Sequence, residues 1–201
     1  LALYWMTMPL DEYTDLADDA LLALYSQGDT AAARALTTRL TPRVFGHAVR
    51  VLGDWAEAED VAQDAMMRLW KVAPDWCMGE AKVSTWLYRV TVNLCTDRLR
   101  RKRGVGLDEV DEPLDPSPSV TDQLQTRERM DALQAGLQTL PERQRQAVIL
   151  RHIEGLANPE IAEILEISTE AVESLTARGK RALAQALAPA CKRVGYEDDS
   201  I

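Results

Sequence analysis

The chain has 201 residues, of which 46% are hydrophobic and 27% are charged, and its formal net charge is −9. This length is enough for one or two compact domains, and the hydrophobic share argues against a disordered chain. No apolar stretch approaches the roughly 18 residues of a transmembrane helix, and the N-terminus lacks the basic segment of a signal peptide. We therefore expect a cytoplasmic protein that does not insert into the membrane.

The residue types and their order predict an all-α protein with two domains. Ala, Leu, Glu, Gln and Arg are common, whereas runs of β-branched and aromatic residues are scarce. Three prolines and six acidic residues interrupt the helical periodicity in the stretch 104–126. The sequence thus predicts helical domains at residues 10–103 and 127–190, joined by a flexible acidic linker at 104–126.

The first domain contains five predicted amphipathic helices. The first is predicted to be capped by Asp18 or Asp19, and the others begin near Thr30, at Pro42, at Asp54 and at Ser84 or Thr85. The glycines that follow the first and third helices, Gly28 and Gly53, are typical stops. The fourth helix carries apolar residues at three- and four-residue steps, which places them on one face.

The second domain ends in a predicted helix-turn-helix. Helices are expected at 127–137 and 141–153, and Asn158 with Pro159 then starts a short helix in the favoured cap-then-proline order. Ser168 is predicted to cap the last helix after a turn at Glu166. A helical hairpin that binds nothing remains an alternative interpretation, and Glu166 stands where many such turns carry glycine.

The distribution of charge favours local binding of nucleic acid. Residues 43–103 carry eleven basic and eight acidic side chains, although the whole chain is acidic. Aromatic, small polar and cationic residues are interspersed between Trp76 and Arg103, a composition that suits unpaired bases and phosphates. The alternative is that these aromatics belong to the core and that the basic helix end only complements the helix dipole.

Three oxygen-bearing side chains, Asp60, Gln63 and Asp64, lie on one face of the predicted fourth helix. Their i, i+3 and i+4 spacing fits an acidic surface that docks a partner helix. A solvated surface is the alternative interpretation. A metal site lacks support, because no further ligand pattern lies nearby.

The sequence shows no signs of catalysis. Cys77, Cys95, Cys191, His47 and His152 have no metal-ligand spacing, and the familiar phosphate-binding, serine-nucleophile and zinc-protease motifs are absent from the sequence. We therefore expect no metal, no cofactor, no small-molecule substrate and no enzymatic activity.

Three stretches in this order resemble the extracytoplasmic-function (ECF) sigma factors of the sigma-70 family. GDWAEAEDVAQDAMMRLWKVAPDW and STWLYRVTVNLCTDRLRRKR resemble region 2, and LPERQRQAVILRHIEGLANPEIAEILEISTEAVESLTARGKRAL resembles region 4. The resemblance covers the chain from about residue 18 to residue 187. It implies an alternative sigma factor whose partners are core RNA polymerase, promoter DNA and an anti-sigma factor.

The same resemblance implies roles for individual residues. The face of Asp60, Gln63 and Asp64 would bind the clamp helices of the polymerase, with Asp64 where the family usually has Glu. The side chains implied to bind the −10 element, either at a flipped base or at nearby phosphates, are Lys82, Ser84, Thr85, Trp86, Arg89, Asn93, Arg98, Arg100, Arg101, Lys102 and Arg103. Those implied to bind the −35 element are Glu173, Ser174, Arg178 and Lys180.

Two other functions compete with this interpretation. A free-standing helix-turn-helix regulator would bind a specific DNA sequence without polymerase, usually as a dimer on a palindrome. A helical adaptor would show no dependence on DNA. The net charge of −9 and the acidic face at Asp60 both favour the sigma factor.

Overall fold

The computed structural model describes residues 13–77, 79, 82–104 and 121–193. Every regular element in these ranges is helical, as the sequence predicts. The eight α-helices are α1 (Asp18–Ser26), α2 (Thr30–Leu52), α3 (Trp55–Val72), α4 (Val83–Gly104), α5 (Thr121–Gln138), α6 (Glu142–Val148), α7 (Asn158–Leu165) and α8 (Thr169–Arg193). A 3₁₀ turn follows α3 at Ala73–Asp75, and a π-helical turn follows α6 at Ile149–Ile153.

The chain divides into two compact units. Unit 1 comprises Leu1–Val49 and Asp54–Cys95, and unit 2 comprises Arg50–Gly53 and Thr96–Ile201. The boundaries between the two units therefore lie within helices, after Val49 in α2 and after Cys95 in α4. Residues 10–12 and 105–120 of the predicted domains and linker lie outside the described residues, and α5 begins at Thr121, six residues before the predicted start of the second domain.

Helix α2 corrects one prediction, because it runs without interruption through Pro42 where the sequence predicts two helices. A proline inside a helix removes one backbone hydrogen bond and costs about 3 kcal/mol. Leu40, Val44 and Ala48 lie on both sides of Pro42 and are all buried in unit 1. Packing of this continuous apolar face offsets the cost of the proline.

Polar contacts cap α2 and hold the segment from Tyr13 to Asp18 against it. The Asp29 carboxylate accepts hydrogen bonds from the backbone N–H groups of Ala31 and Ala32 at 2.8 and 3.1 Å, so it caps α2. The Arg39 guanidinium donates to Asp18 at 2.7 Å and to the Leu16 carbonyl at 2.8 Å. The predicted capping of α1 by Asp18 or Asp19 is wrong, because both lie in the first turn and no side chain caps this helix.

Helix α3 begins as predicted, with the Asp54 carboxylate accepting from the Glu57 N–H at 3.0 Å. Its buried residues recur at three- and four-residue steps and are Ala58, Val61, Ala62, Ala65, Met66 and Leu69. The period therefore separates an inner apolar face from an outer face that carries the polar side chains.

In unit 2, the buried Arg145 organises the start of α6. Its guanidinium donates to the carbonyls of Leu140 and Gln138, each at 3.1 Å, and to the Val51 carbonyl at 2.5 Å. Burial lowers the pKa of Arg145, the charge of Glu142 raises it and that of Arg103 lowers it. Arg145 thus satisfies carbonyl groups that helix ends leave unpaired.

The helix-turn-helix is formed by α7 and α8. The Ser168 hydroxyl accepts from the Ala171 N–H at 3.2 Å, which confirms the predicted cap of α8. The predicted cap at Asn158 is wrong: Ala157 occupies that position, and its N–H donates to the Glu160 carboxylate at 3.0 Å. Glu166 ends α7 in the left-handed conformation, at φ 54° and ψ 49°.

No helix among the described residues is long and apolar enough to cross a membrane.

Candidate functional site

The outer face of α3 carries the three side chains that the sequence analysis assigns to a partner helix. Asp60, Gln63 and Asp64 are all exposed, and the structure places them on one side of the helix, opposite the buried apolar residues. An exposed surface with two carboxylates and one amide repels the DNA backbone, and it is complementary to a protein surface with basic side chains.

The start of α4 is fixed by a contact that the sequence analysis missed. The Asp19 carboxylate of α1 accepts a hydrogen bond from the Val83 backbone N–H at 3.3 Å. A carboxylate at this position compensates the positive end of the helix dipole. Because 64 residues separate the two groups in the sequence, no local capping pattern could reveal the contact.

The residues assigned to the −10 element are distributed around α4 rather than gathered on one face. Trp86, Arg89 and Asn93 follow each other at steps of three and four residues and share a face, on which Asn93 is exposed and the other two are half-buried. Ser84 lies about 200° around the helix from Trp86. Thr85 is buried at 5% exposure.

Trp86 packs against the loop that precedes α4. Its ring meets that of Trp76 edge to face, with 5.9 Å between the ring centroids. Lys82 is exposed in the same loop. Met78, Glu80 and Ala81, which belong to the loop assigned to base capture, lie outside the described residues.

The basic end of α4 presents its charges to solvent. Arg100, Arg101, Lys102 and Arg103 are exposed, and Arg98 is half-buried. Arg100 lies 3.7 Å from the Asp97 carboxylate, and the Arg103 guanidinium pairs with Glu142 at 2.5 Å. The exposed pair of Arg100 with Asp97 is worth about 0–1 kcal/mol, so Arg100 can exchange its partner for a phosphate group at little cost.

The second helix of the helix-turn-helix, α8, brings together the residues assigned to the −35 element. Glu173, Ser174, Arg178 and Lys180 are all exposed. The Arg178 guanidinium donates to the Ser174 hydroxyl at 2.9 Å, and Glu173 accepts from the Asn158 side chain at 3.4 Å. These contacts orient both side chains along the outer face of α8, the face that enters a major groove in such motifs.

Lys180 lies close to a histidine that the sequence analysis does not assign. Burial, followed by the charges of Lys180 and Arg151, lowers the pKa of the His152 imidazole. The lowered pKa favours the neutral imidazole, so Lys180 and Arg151 supply the positive charge beside α8. Among the described residues, no group of three or more His, Cys, Asp or Glu side chains could hold a metal ion.

Two protein-family models match the chain on these same elements. The model for sigma-70 region 2 matches residues 36–105, which run from within α2 to the end of α4. The model for sigma-70 region 4 matches residues 130–183, from α5 into α8. Together the two matches cover more than half of the chain.

The chain is a member of the ECF sigma factors. The ECF RNA polymerase sigma factor SigE of Mycolicibacterium smegmatis is 32% identical to this sigma factor over 187 residues, which are 90% of this chain and 70% of the relative. SigW of Bacillus subtilis is 29% identical over 172 residues, 80% of this chain and 91% of the relative.

A solved structure shares the fold of this sigma factor. CnrH, in complex with the cytosolic domain of CnrY, superimposes with a TM-score of 0.65 at 24% sequence identity. The match covers 86% of this chain and 97% of CnrH. The fold expected from the sequence, an all-α chain with sigma regions 2 and 4, is confirmed.

Proposed function

We propose that this sigma factor binds core RNA polymerase through the outer face of α3 and directs it to promoters through α4 and α8. Residues 10–103 would serve as region 2, residues 104–126 as linker and residues 127–190 as region 4. The supporting observation is the exposed acidic face of Asp60, Gln63 and Asp64, which faces away from the core of unit 1.

The acidic face of α3 also argues against the alternative function, a free-standing helix-turn-helix regulator. A free-standing regulator needs enough positive charge to bind DNA unaided, because phosphate contacts supply a large share of the affinity. A chain with a net charge of −9 and an acidic face on α3 lacks that balance. Binding to polymerase would supply the missing affinity and hold the basic surfaces on the promoter.

In the proposed mechanism, the protein performs no covalent chemistry. α8 would enter the major groove at the −35 element, with Arg178 and Lys180 contacting guanine edges or phosphates. α4 would hold the melted −10 element, with Trp86, Arg89 and Asn93 beside an unstacked base. The basic end of α4 would bind the phosphates of the separated strands.

The proposed partners extend to an anti-sigma factor. CnrH is bound to the cytosolic domain of CnrY, a partnership recorded for a protein of the same fold. We infer an equivalent partner for this sigma factor, which would act in the cytoplasm on the surfaces used for polymerase and DNA.

The proposed function is tested by run-off transcription with purified core polymerase, together with a direct measurement of core binding. Asp60→Ala combined with Gln63→Ala should weaken core binding by at least about tenfold, as expected when central interface residues are truncated. Asp131→Ala combined with Gln134→Ala removes the same side-chain types at the same spacing from α5, and it should leave core binding unchanged. Binding to duplex DNA without any binding to core polymerase would establish the free-standing regulator instead.

A further inference from the structure

Exposed large hydrophobic side chains are rare in the described part of the chain, and two of them lie on α3, the helix that carries the proposed polymerase face. Trp55 is 70% exposed, Met67 is 62% exposed and Met130 is 56% exposed. Trp55 and Met67 both belong to α3, whereas Met130 belongs to α5. Single exposed apolar residues need no explanation, but two on the helix that carries a proposed binding face call for one.

The spacing of the two side chains places them on one ridge of α3. Trp55, Glu59, Gln63 and Met67 follow each other at four-residue steps, which form a continuous row along a helix. Met67 lies 12 residues after Trp55, and this separation corresponds to about 18 Å along the helix at 1.5 Å per residue. The neighbouring ridge carries the two carboxylates of the proposed polymerase site, Asp60 and Asp64.

The Trp55 ring is held in place before any partner arrives. It meets the ring of Phe45, on α2, edge to face with 5.1 Å between the centroids. A side chain that is already oriented loses less conformational entropy on binding. Tryptophan is also the residue type most enriched among the residues that dominate the affinity of protein interfaces.

We propose that Trp55 and Met67 are the apolar anchors of the polymerase interface, one at each end of the ridge that Glu59 and Gln63 occupy. The matching surface on the polymerase would consist of helices with two apolar recesses about 18 Å apart and basic side chains between them. This inference rests on the proposed function, and it adds the residues that supply affinity where the carboxylates supply orientation and charge complementarity.

Charge argues for polymerase and against a second copy of this chain. A symmetric contact between two α3 faces would bring Glu59, Asp60 and Asp64 of each copy together, and the exposed cations Arg68 and Lys71 of α3 do not balance these three carboxylates. Like charges brought together in an interface weaken it by several kcal/mol. A partner rich in basic side chains avoids this repulsion.

The inference is tested by titrating core polymerase with full-length protein carrying Trp55→Ala, Met67→Ala or Trp55→Phe. Trp55→Ala should weaken binding by about tenfold or more, and Met67→Ala should weaken it by about fivefold. Trp55→Phe keeps an aromatic ring against Phe45 and should recover most of the affinity. Met130→Ala removes the third exposed apolar side chain and should bind as the wild type does.

The outcomes separate this inference from the proposed function. If Trp55→Ala and Met67→Ala both bind core polymerase as tightly as the wild type does, the two side chains are not anchors, and the proposed function stands. If the wild type does not bind core polymerase, the proposed function itself fails. Sedimentation of the protein alone provides a third readout: a dimer that Trp55→Ala dissociates would assign the ridge to self-association and overturn the inference.

Discussion

Helices α3 and α8 share the same period but present different chemistry on their outer faces. The exposed side chains of α3 include the carboxylates of Asp60 and Asp64 and two large apolar residues, Trp55 and Met67. The outer face of α8 carries Ser174, Ala177 and Arg178, and no large apolar side chain is exposed there among the described residues. An acidic face with apolar anchors suits a protein partner, whereas a polar face with an oriented arginine suits a DNA groove.

The two helices also differ on their buried sides. α3 packs within unit 1 through six buried apolar side chains, whereas α8 approaches α6 closely at Gly179. A Cβ atom at Gly179 would lie 2.6 Å from Val148 Cγ2 and 3.1 Å from the Gln144 carbonyl oxygen. The difference teaches that the helix bearing the DNA face depends on close approaches at glycines, Gly179 to α6 and Gly136 of α5 to α8, while the polymerase face rests on a broad apolar surface.

The largest expected effect comes from disrupting the close approach of α8 to α6 at Gly179. Gly179→Val forces α8 away from α6 and should lower the free energy of unfolding by about 2–3 kcal/mol, the cost of overpacking a tight contact. Urea unfolding measures the change. Ala177→Val places the same side chain on the exposed face of α8, where a loss of only about 0.5 kcal/mol is expected from helix propensity. Equal losses for the two variants would show that the close approach of α6 and α8 does not matter.

A second prediction concerns the outer face of α8. Arg178→Ala should weaken binding of the polymerase holoenzyme to a −35 element by about 1–3 kcal/mol, the contribution of one base contact. The thermal stability of the protein should stay the same, because Arg178 is exposed. Arg143→Ala removes an equal charge from an exposed position on α6, so it controls for loss of nonspecific attraction. A matching loss from Arg143→Ala would mean that charge, not groove contact, explains the effect.

The smallest expected effect concerns Glu166, the residue in the turn between α7 and α8. Glu166 adopts a left-handed conformation that costs a non-glycine residue about 1–2 kcal/mol. Glu166→Gly should therefore raise the free energy of unfolding by about 1 kcal/mol. Glu163→Gly makes the same change inside α7 and should lower it by about 0.5–1 kcal/mol, so the two variants should shift the denaturant midpoint in opposite directions. Shifts of the same sign would contradict the role of the turn.

Local signals in the sequence predicted several helix boundaries correctly. Asp54 and Ser168 are caps whose side chains accept from N–H groups three residues later, so the information lies within one turn. The cap predicted at Asn158 fails because Asn158 is already the first residue of α7, with Ala157 at the cap position. The Ala157 N–H donates to the Glu160 carboxylate, and the Asn158 side chain donates to Glu173 of the next helix.

Some features of the candidate site could likewise be predicted from neighbouring residues, and others could not. The exposure of Asp60, Gln63 and Asp64 follows from helical period, because the apolar residues of α3 define its buried face. The burial of Thr85 and the contact of Asp19 with Val83 depend on how α1 and α4 pack, which no window of sequence contains. The assignment of individual side chains to bases or phosphates stays a prediction.

The sequence by itself determined the all-α fold and the acidic face of α3, because composition and helical period are properties of neighbouring residues, and its resemblance to the ECF sigma factors indicated the two sigma regions. Tertiary structure decided that α2 continues through Pro42, since the cost of the proline is outweighed only by apolar burial on both of its sides. It also decided the close approach at Gly179 and the pairing of Trp55 with Phe45. These features join residues that are distant in sequence, and their energies arise only when the helices pack together.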